Sequence, residues 1–447
     1  MNKNFTIICA FLLTSFASSL AITPNALLSR GLTAKTSTGD NSYITDGDLT
    51  NWKQCKAKDI ALNVGEGPTK LFITWESLGD CAWAPYTANC NHAGTPLRNF
   101  KILTSANSTD GQDGDWTEAA AIKDNPVMSR GVFVDFDGQS WFRFVSEDEV
   151  GEILEIEAFD VSNGASDTWF FMGTSISQMG LKQQSTDTTT ANIIHNRYPA
   201  FTPAMLRGGI GCINSTEVVA HISDYLRYAG NVKFWAIEMG TNDAWGGGDW
   251  NLQNYKNNMQ TIIDSAKANG IEPILARIIA TDESKAGWQI NSKFLDVIDE
   301  LTAKNNLYPG PDLFGFFVEH PELIGADGVH PNGETGGGQA MHHLWADALL
   351  PLYAKSMEGL EDGDSTATNA ALVNGHLPVL MVSGRNLILS NVASEVGITV
   401  LSASGALLES YKVSESHATI PVNVPSGFYV VMLKWEGGSS TYKVIIK

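Results

Sequence analysis

Hydrophobic and polar positions divide this chain into three textures. Over about 22–165, short runs alternate apolar and polar residues, at 70–75, 99–104, 131–135, 141–145 and 153–159. A period of two is the mark of a half-buried strand, and turn-rich stretches such as "SANSTDGQDGDW" separate the runs, so this region is expected to form a β-sandwich. Over 166–356 the pattern changes to strand and helix in alternation. Apolar runs at 168–172, 232–239 and 271–280 read as buried strands, the first two closed by Gly173 and Gly240. Between and after them, helices are expected from a Ser215 cap to Tyr228, over 251–268, over 289–304 and over 338–353. The third of these carries Ile290, Phe294, Leu295, Val297, Ile298 and Leu301 on one face. This order predicts a doubly wound α/β domain. A polar linker is expected at 357–378. Strand patterns return over 379–447, near 387–390, 397–402, 418–422, 428–435 and 442–446, and predict a small C-terminal β-domain.

Composition and charge narrow the classes. The 447 residues are 43% hydrophobic and 17% charged, a globular balance too long for one ordinary core. A net charge of −20 repels phosphate backbones and argues against nucleic acid as a partner. Lys3, an apolar run at 5–16 and the small residues Ser19 and Ala21 read as a secretory signal over 1–21. That run is too short for a span of about 20 residues, and no other stretch reads as a membrane span. Export brings the cysteines into an oxidising compartment. Cys81 and Cys90 flank a turn-rich stretch and can pair, or Cys55 can pair with either; the spacing fits no common zinc pattern.

Three polar motifs stand where an open α/β sheet collects its chemistry, beyond the carboxyl ends of strands. Ser175 follows the first strand in "FFMGTSIS", Asn242 follows the second in "EMGTND", and a late loop, "DGVHPN", holds Asp327 and His330. A serine hydroxyl needs an adjacent base to attack a carbonyl at neutral pH. His330 can take that proton, Asp327 can hold the imidazole tautomer, and the Asn242 amide can donate to a developing oxyanion. Each motif alone also suits a helix cap or a satisfied turn. It is their order on one α/β pattern that points to acyl transfer.

This constellation resembles the SGNH (GDSL-like) hydrolases, over about 190 residues. Gly173-Thr174-Ser175-Ile176 stands for the family's Gly-Asp-Ser-Leu block, with Thr174 in place of the Asp. Gly240-Thr241-Asn242-Asp243 and Asp327 to Pro331 match its Gly-x-Asn-Asp and Asp-x-x-His-Pro blocks. The resemblance implies a flavodoxin-like domain and a Ser175–His330–Asp327 triad without metal or organic cofactor. Its oxyanion hole would be formed by Ser175, Asn242 and a backbone N–H within "RGGIGCINS", from Gly211 or, one residue on, Cys212.

The flanking regions resemble other modules. The first is similar to discoidin-like, galactose-binding-like jelly rolls through "ITDGDLTNW", "WFRFV" and "LEIEAFDV". The last is similar to C-terminal sorting domains of type IX secretion cargo through "ITVLSASGALL", "PSGFYVVML" and "YKVIIK". Trp245, Trp250 and the glycine run 246–248 can form an aromatic platform for a sugar ring or can pack on the domain. "DGQDGD" lacks EF-hand spacing and reads as a turn rather than a calcium loop. Together these features predict a secreted or cell-surface esterase that removes acetyl groups from plant cell-wall polysaccharide such as xylan, exported through its C-terminal domain. A lipase or lysophospholipase using the same triad, or a non-catalytic carbohydrate-binding surface protein, are the rival readings.

Overall fold

The computed structural model describes residues 20–49, 55–77, 96–147, 152–182, 189–333, 336–361, 379–383, 385–390, 395–402, 406–414, 417–425, 427–435 and 438–446. Residues 1–19 of the expected signal over 1–21, the Cys81–Cys90 pair and most of the expected linker lie outside these. The chain forms two compact units that divide between Asp362 and Gly363.

In the first unit, the N-terminal region makes two antiparallel sheets. One has the strand order Ala26–Leu27, Ile153–Asp160, Lys70–Ser77, Ser129–Asp135. The other runs Gly39–Asn41, Ala34–Thr36, Asp59–Asn63, Trp141–Ser146, Phe100–Ser105, Thr117–Ile122. The period-two pattern explains the core they share: Leu71, Ile73, Trp75, Ile156 and Ala158 from the first meet Ile60, Leu62, Phe100, Ile102, Phe142 and Phe144 from the second. The "DGQDGD" stretch is a turn. Asp113 accepts from the Thr109 N–H (2.7 Å) and Asp110 from the Gln112 N–H (2.8 Å), so both carboxylates face their own loop.

The α/β part of this unit holds five parallel strands, β1 (Thr168–Gly173), β2 (Ala204–Gly209), β3 (Phe234–Glu238), β4 (Glu272–Arg277) and β5 (Pro309–Asp312), in the spatial order β2-β1-β3-β4-β5. Helices α1 (Ser175–Gly180), α2 (Thr190–Arg197), α3 (Ser215–Ala220), α4 (Ile222–Ala229), α5 (Leu252–Ala268), α6 (Glu283–Ala286), α7 (Ser292–Lys304), α8 (Leu313–Glu319) and α9 (Gly337–Glu361) connect and cover them. Two cores lie against the sheet. One holds Phe170, Met172, Trp235, Ile237, Met259 and Phe294; the other holds Trp169, Phe171, Phe234, Ala236, Trp345 and Tyr353. Successive residues of β1 and β3 thus enter opposite layers. This is why these strands read as continuous apolar runs rather than as an alternation.

Several boundaries differ from expectation. The helix expected from 215 to 228 is two helices broken at His221, and its cap is Asn214, which accepts from Thr216 and Glu217 while Glu217 reaches back, a capping box. The expected start at 289 moves to Ser292 with Asn291 as cap. The last helix continues through Glu361, past the expected linker start at 357. Strand β2 and helix α2 were not expected at all. Cys55 is a buried free thiol, not a disulfide partner, because it sits in the core between the two N-terminal sheets, bridged to Ile153. Cys212 is disulfide-bonded. Among the described residues no helix is long and apolar enough to cross a membrane.

The second unit has two antiparallel sheets, Val379–Ser383, Asn386–Ser390, His417–Pro421 and Leu407–Val413, Val396–Ser402, Gly427–Trp435, Gly438–Ile446. They enclose Leu387, Ile398, Val400, Val431, Leu433 and Ile446.

Polar contacts tie the N-terminal sheets to the α/β layer. Arg207 on β2 forms a buried ion pair with Glu76, and Asn25 Nδ2 donates to the Asp167 carbonyl at 2.7 Å. The Asp167 side chain accepts from Tyr353 Oη (2.6 Å) and Trp169 Nε1 (2.8 Å). Burial outweighs these bonds and raises its pKa from 3.8 to about 7. The folded state therefore holds this proton where the unfolded chain has lost it. The stability it contributes is complete below about pH 4 and is lost as pH rises toward 7. Asp167→Asn should weaken the fall in Tm between pH 4 and 7, as thermal unfolding across that range would read. An unaltered pH slope would show that Asp167 stays ionised.

Candidate active site

The site is built on three turns at the carboxyl ends of β1, β2 and β3 and on one late loop. Strand β1 ends at Gly173, and α1 begins two residues on. Thr174 caps this helix, accepting from the Ile176 N–H at 3.2 Å, so Ser175 is its first residue. Ser175 is not the cap but stands in the first turn, whose N–H groups have no intrahelical acceptor.

The late loop is closed on itself. Gly325 donates to the His330 carbonyl at 2.7 Å, and Ile324 bridges Pro331. Asp327 Oδ1 accepts from the N–H groups of Val329 (2.9 Å) and His330 (3.1 Å), which aims Oδ2 at the imidazole. Gly328 has φ +73°, and a Cβ there would lie 2.4 Å from the Ala286 nitrogen, so only glycine fits between this loop and α6. The result is a hydrogen-bonded row: Ser175 Oγ to His330 Nε2 at 2.8 Å and His330 Nδ1 to Asp327 Oδ2 at 2.7 Å. Burial alone would raise the Asp327 pKa, but the Val329 N–H, the His330 ring and the His330 N–H outweigh it and hold the carboxyl below its usual range. The carboxylate is thus charged at neutral pH and directs the Nδ1 proton toward itself, leaving Nε2 to accept from the serine.

The loops that carry the remaining expected residues are sewn together by side chains. Ile210 donates to the Gly173 carbonyl at 3.0 Å, which lays Gly211 beside the serine turn. Cys212 follows with φ +61°, fixed by its disulfide. Asn242 Nδ2 donates to the Ile213 carbonyl at 2.7 Å; this uses one amide hydrogen and leaves the second to point elsewhere. Next to it, Asp243 accepts from the Ser215 hydroxyl (2.5 Å) and N–H (3.0 Å), and Asn258 donates to the Ser215 oxygen at 3.0 Å. Burial raises the Asp243 pKa against these bonds. Gly240 has φ +136°, with the Ile278 side chain where a Cβ would be, so the chain turns sharply between β3 and Asn242. All the expected residues, Ser175, Gly211, Asn242, Asp327 and His330, are therefore brought to these stitched loops.

Glu238 was not expected. The last residue of β3, it is fully buried beneath the serine turn, where Oε2 accepts from the Thr174 hydroxyl (3.0 Å), the Thr174 N–H (3.3 Å) and the Ser177 hydroxyl (3.2 Å). Burial raises its pKa, and the bonds from Thr174 and Ser177 oppose that rise. A lone glutamate closing the buried run "FWAIE" was the sequence signal, since a carboxyl is rarely placed there without partners. Thr174 thus caps α1 and anchors it to β3 at once.

No family model matches the chain, and no curated protein matches it. Solved structures do. A lipase/acylhydrolase from Enterococcus faecalis is similar over 41% of this chain and 95% of its own, at 17% identity and a TM-score of 0.34. A member of the lipolytic G-D-S-L family from Veillonella parvula is similar over 42% and 98%, at 18% identity and 0.32. Axe2, an acetylxylan esterase from Geobacillus stearothermophilus, is similar over 41% and 93%, at 18% identity and 0.33.

Replacing Glu238 tests its hold on the serine turn. Glu238→Leu strands the Thr174 and Ser177 donors at about 1–3 kcal/mol for each buried group left unsatisfied. It should lower Tm, while Glu238→Gln, which keeps an acceptor, should lower it less, as thermal unfolding would read. A leucine variant with wild-type Tm would remove Glu238 from the architecture of the site.

Proposed function

We propose that this chain is a secreted serine ester hydrolase of the SGNH type that removes acetyl groups from plant cell-wall polysaccharide. The observation that carries the reading is the unbroken row Ser175–His330–Asp327, with both hydrogen bonds under 3 Å. In the reaction, Ser175 Oγ attacks the ester carbonyl carbon as its proton passes to His330 Nε2. The resulting oxyanion is held by the N–H groups of Ser175 and Gly211 and by the Asn242 amide. The C–O bond to the sugar then breaks, and the sugar oxygen takes the proton from His330. Water, deprotonated by the same imidazole, attacks the acyl-Ser175 and releases acetate with Ser175 restored. Asp327 stays ionised and orients the ring throughout. Asn242 and Asp243 position two loops with one turn of chain, so the oxyanion donors are set before substrate arrives.

Secretion is part of the proposal. It rests on the signal-like pattern over 1–21, on the Cys212 disulfide, which suits an oxidising compartment, and on the sorting-domain pattern of the C-terminal unit. The jelly-roll pattern supports a polysaccharide setting. The expected partners are the acetylated polymer and the secretion machinery.

Ser175→Ala should lower turnover by about four orders of magnitude with the fold intact, as ester hydrolysis and circular dichroism would show together. Near-wild-type turnover in a folded variant would overturn the triad. The acyl preference is tested with p-nitrophenyl esters of rising chain length beside acetylated xylan. The expected result is a kcat/KM for acetyl far above that for octanoyl, together with acetate release from the polymer. A maximum at eight carbons or beyond with no acetate from any polysaccharide would make the enzyme a lipase.

A further inference from the structure

The loops flanking the serine carry aromatic surface that the chemistry above does not use. Trp245 and Trp250 are 52% and 78% exposed, although large apolar side chains usually lose most of their surface on folding. Both follow Asn242 on one loop. Three residues of chain span at most about 11 Å, so Trp245 begins within that distance of the oxyanion residue. Its ring meets that of Trp288, with centroids 5.1 Å apart and planes tilted by 53°.

Trp288 lies on the segment between β4 and α7, and that segment is fastened on two sides. Asn291 Nδ2 donates to the Gly247 carbonyl at 3.3 Å, joining it to the Asn242 loop, and Asp282 donates its N–H to the Gly328 carbonyl at 2.8 Å, joining it to the Asp327–His330 loop. The tryptophan pair therefore bridges the loop of the oxyanion residue and the loop of the base. This aromatic wall thus stands on segments fastened to those that carry Asn242 and His330.

The wall is built for a flat, uncharged ring. Residues 246–248 are glycines. A side chain at Gly246 would meet nothing within 4 Å, and the Trp250 ring rests 3.1 Å from where a Cβ of Gly248 would be, so Trp250 stands beside bare backbone. Asn251, Gln253 and Asn254 follow, and their amide N–H groups donate to Asp243, Asn257 and Thr216. The nearby charges, Asp249 and Lys293, neutralise each other at 2.5 Å. An acyl chain seeks an enclosed apolar slot. An exposed aromatic face instead offers stacking for the C–H face of a pyranose.

We propose that Trp245, braced by Trp288, and Trp250 form the subsite that binds the sugar residues of the leaving group. They would set specificity for an uncharged pyranose polymer. This rests on the ester-hydrolase reading and names the substrate class of the same site. Trp245 and Trp250 act as specificity residues; Trp288 positions Trp245.

The test uses the full chain with two substrates and one binding probe. For Trp245→Ala and Trp250→Ala, the ratio of kcat/KM on acetylated xylo-oligosaccharide to that on p-nitrophenyl acetate should fall about tenfold each, carried by KM, and Trp245→Phe should recover most of it. In a Ser175→Ala background, calorimetric titration with xylohexaose should show the same order of weakening. An unchanged ratio, or an equal loss on both substrates with Trp245→Phe no better than alanine, would overturn the subsite. Failure of the parent reading looks different: ester cleavage would survive Ser175→Ala, whatever the tryptophan variants do.

Discussion

The carboxylate of Glu238, sealed under the turn that follows β1, is the contact on which the geometry of the site depends. A parallel sheet delivers its strands to one edge but leaves the turn beyond each strand undetermined. At β1, that turn has to present a hydroxyl to an imidazole on a loop more than 150 residues later in the chain. Glu238 gathers the Thr174 amide, the Thr174 hydroxyl and the Ser177 hydroxyl on one oxygen, so α1 leaves the sheet in one direction. In so dry a place a hydrogen bond is strong and an unmet donor costly, which makes the arrangement close to all-or-none.

The same logic repeats around the site. The loops after β2 and β3 place Ile210, Ile213, Met239 and Ala244 in the apolar core, and polar groups link them as well. They are joined by Asn242 to Ile213 and by Asp243 to Ser215, while the segment after β4 is joined to the late loop by Asp282 to Gly328. Each link uses a short polar side chain or a backbone group, which leaves little rotamer freedom to lose. Desolvation raises the pKa of the buried carboxyls of Glu238 and Asp243, whereas Asp327, half in water and met by three donors, is held below its usual range. Environment alone separates structural acids from the one acid that faces the imidazole.

In the proposed reading, the aromatic wall adds the complementary half: the catalytic groups fix which bond is cut, and the surface beside them fixes what is attached to it. The segment after β4 serves both, since it holds the late loop through Asp282 and supports Trp245 through Trp288. A shift of this segment would disturb binding and chemistry together.

The sequence by itself determined much. Apolar runs ending in glycine marked β1 and β3, helical periodicity marked α5 and α7, and the residue types at 175, 242, 327 and 330 named the chemistry. These are local signals, written in spacing of two or about 3.6 and in side-chain functional groups. Strand β2 was not legible, because "AMLRGG" lacks a long apolar run: it is a sheet edge whose Arg207 pairs with Glu76 from another sheet. Nor was the role of Glu238, whose partners lie 61 and 64 residues away. Whether Trp245 and Trp250 pack or project depended on which loops came to lie beside them, and the state of Cys55 depended on its enclosure in the core between the N-terminal sheets. Composition can say that a buried carboxyl must have partners and a tryptophan must have a surface. Only the tertiary structure decides which ones, because those contacts join segments that no local periodicity relates.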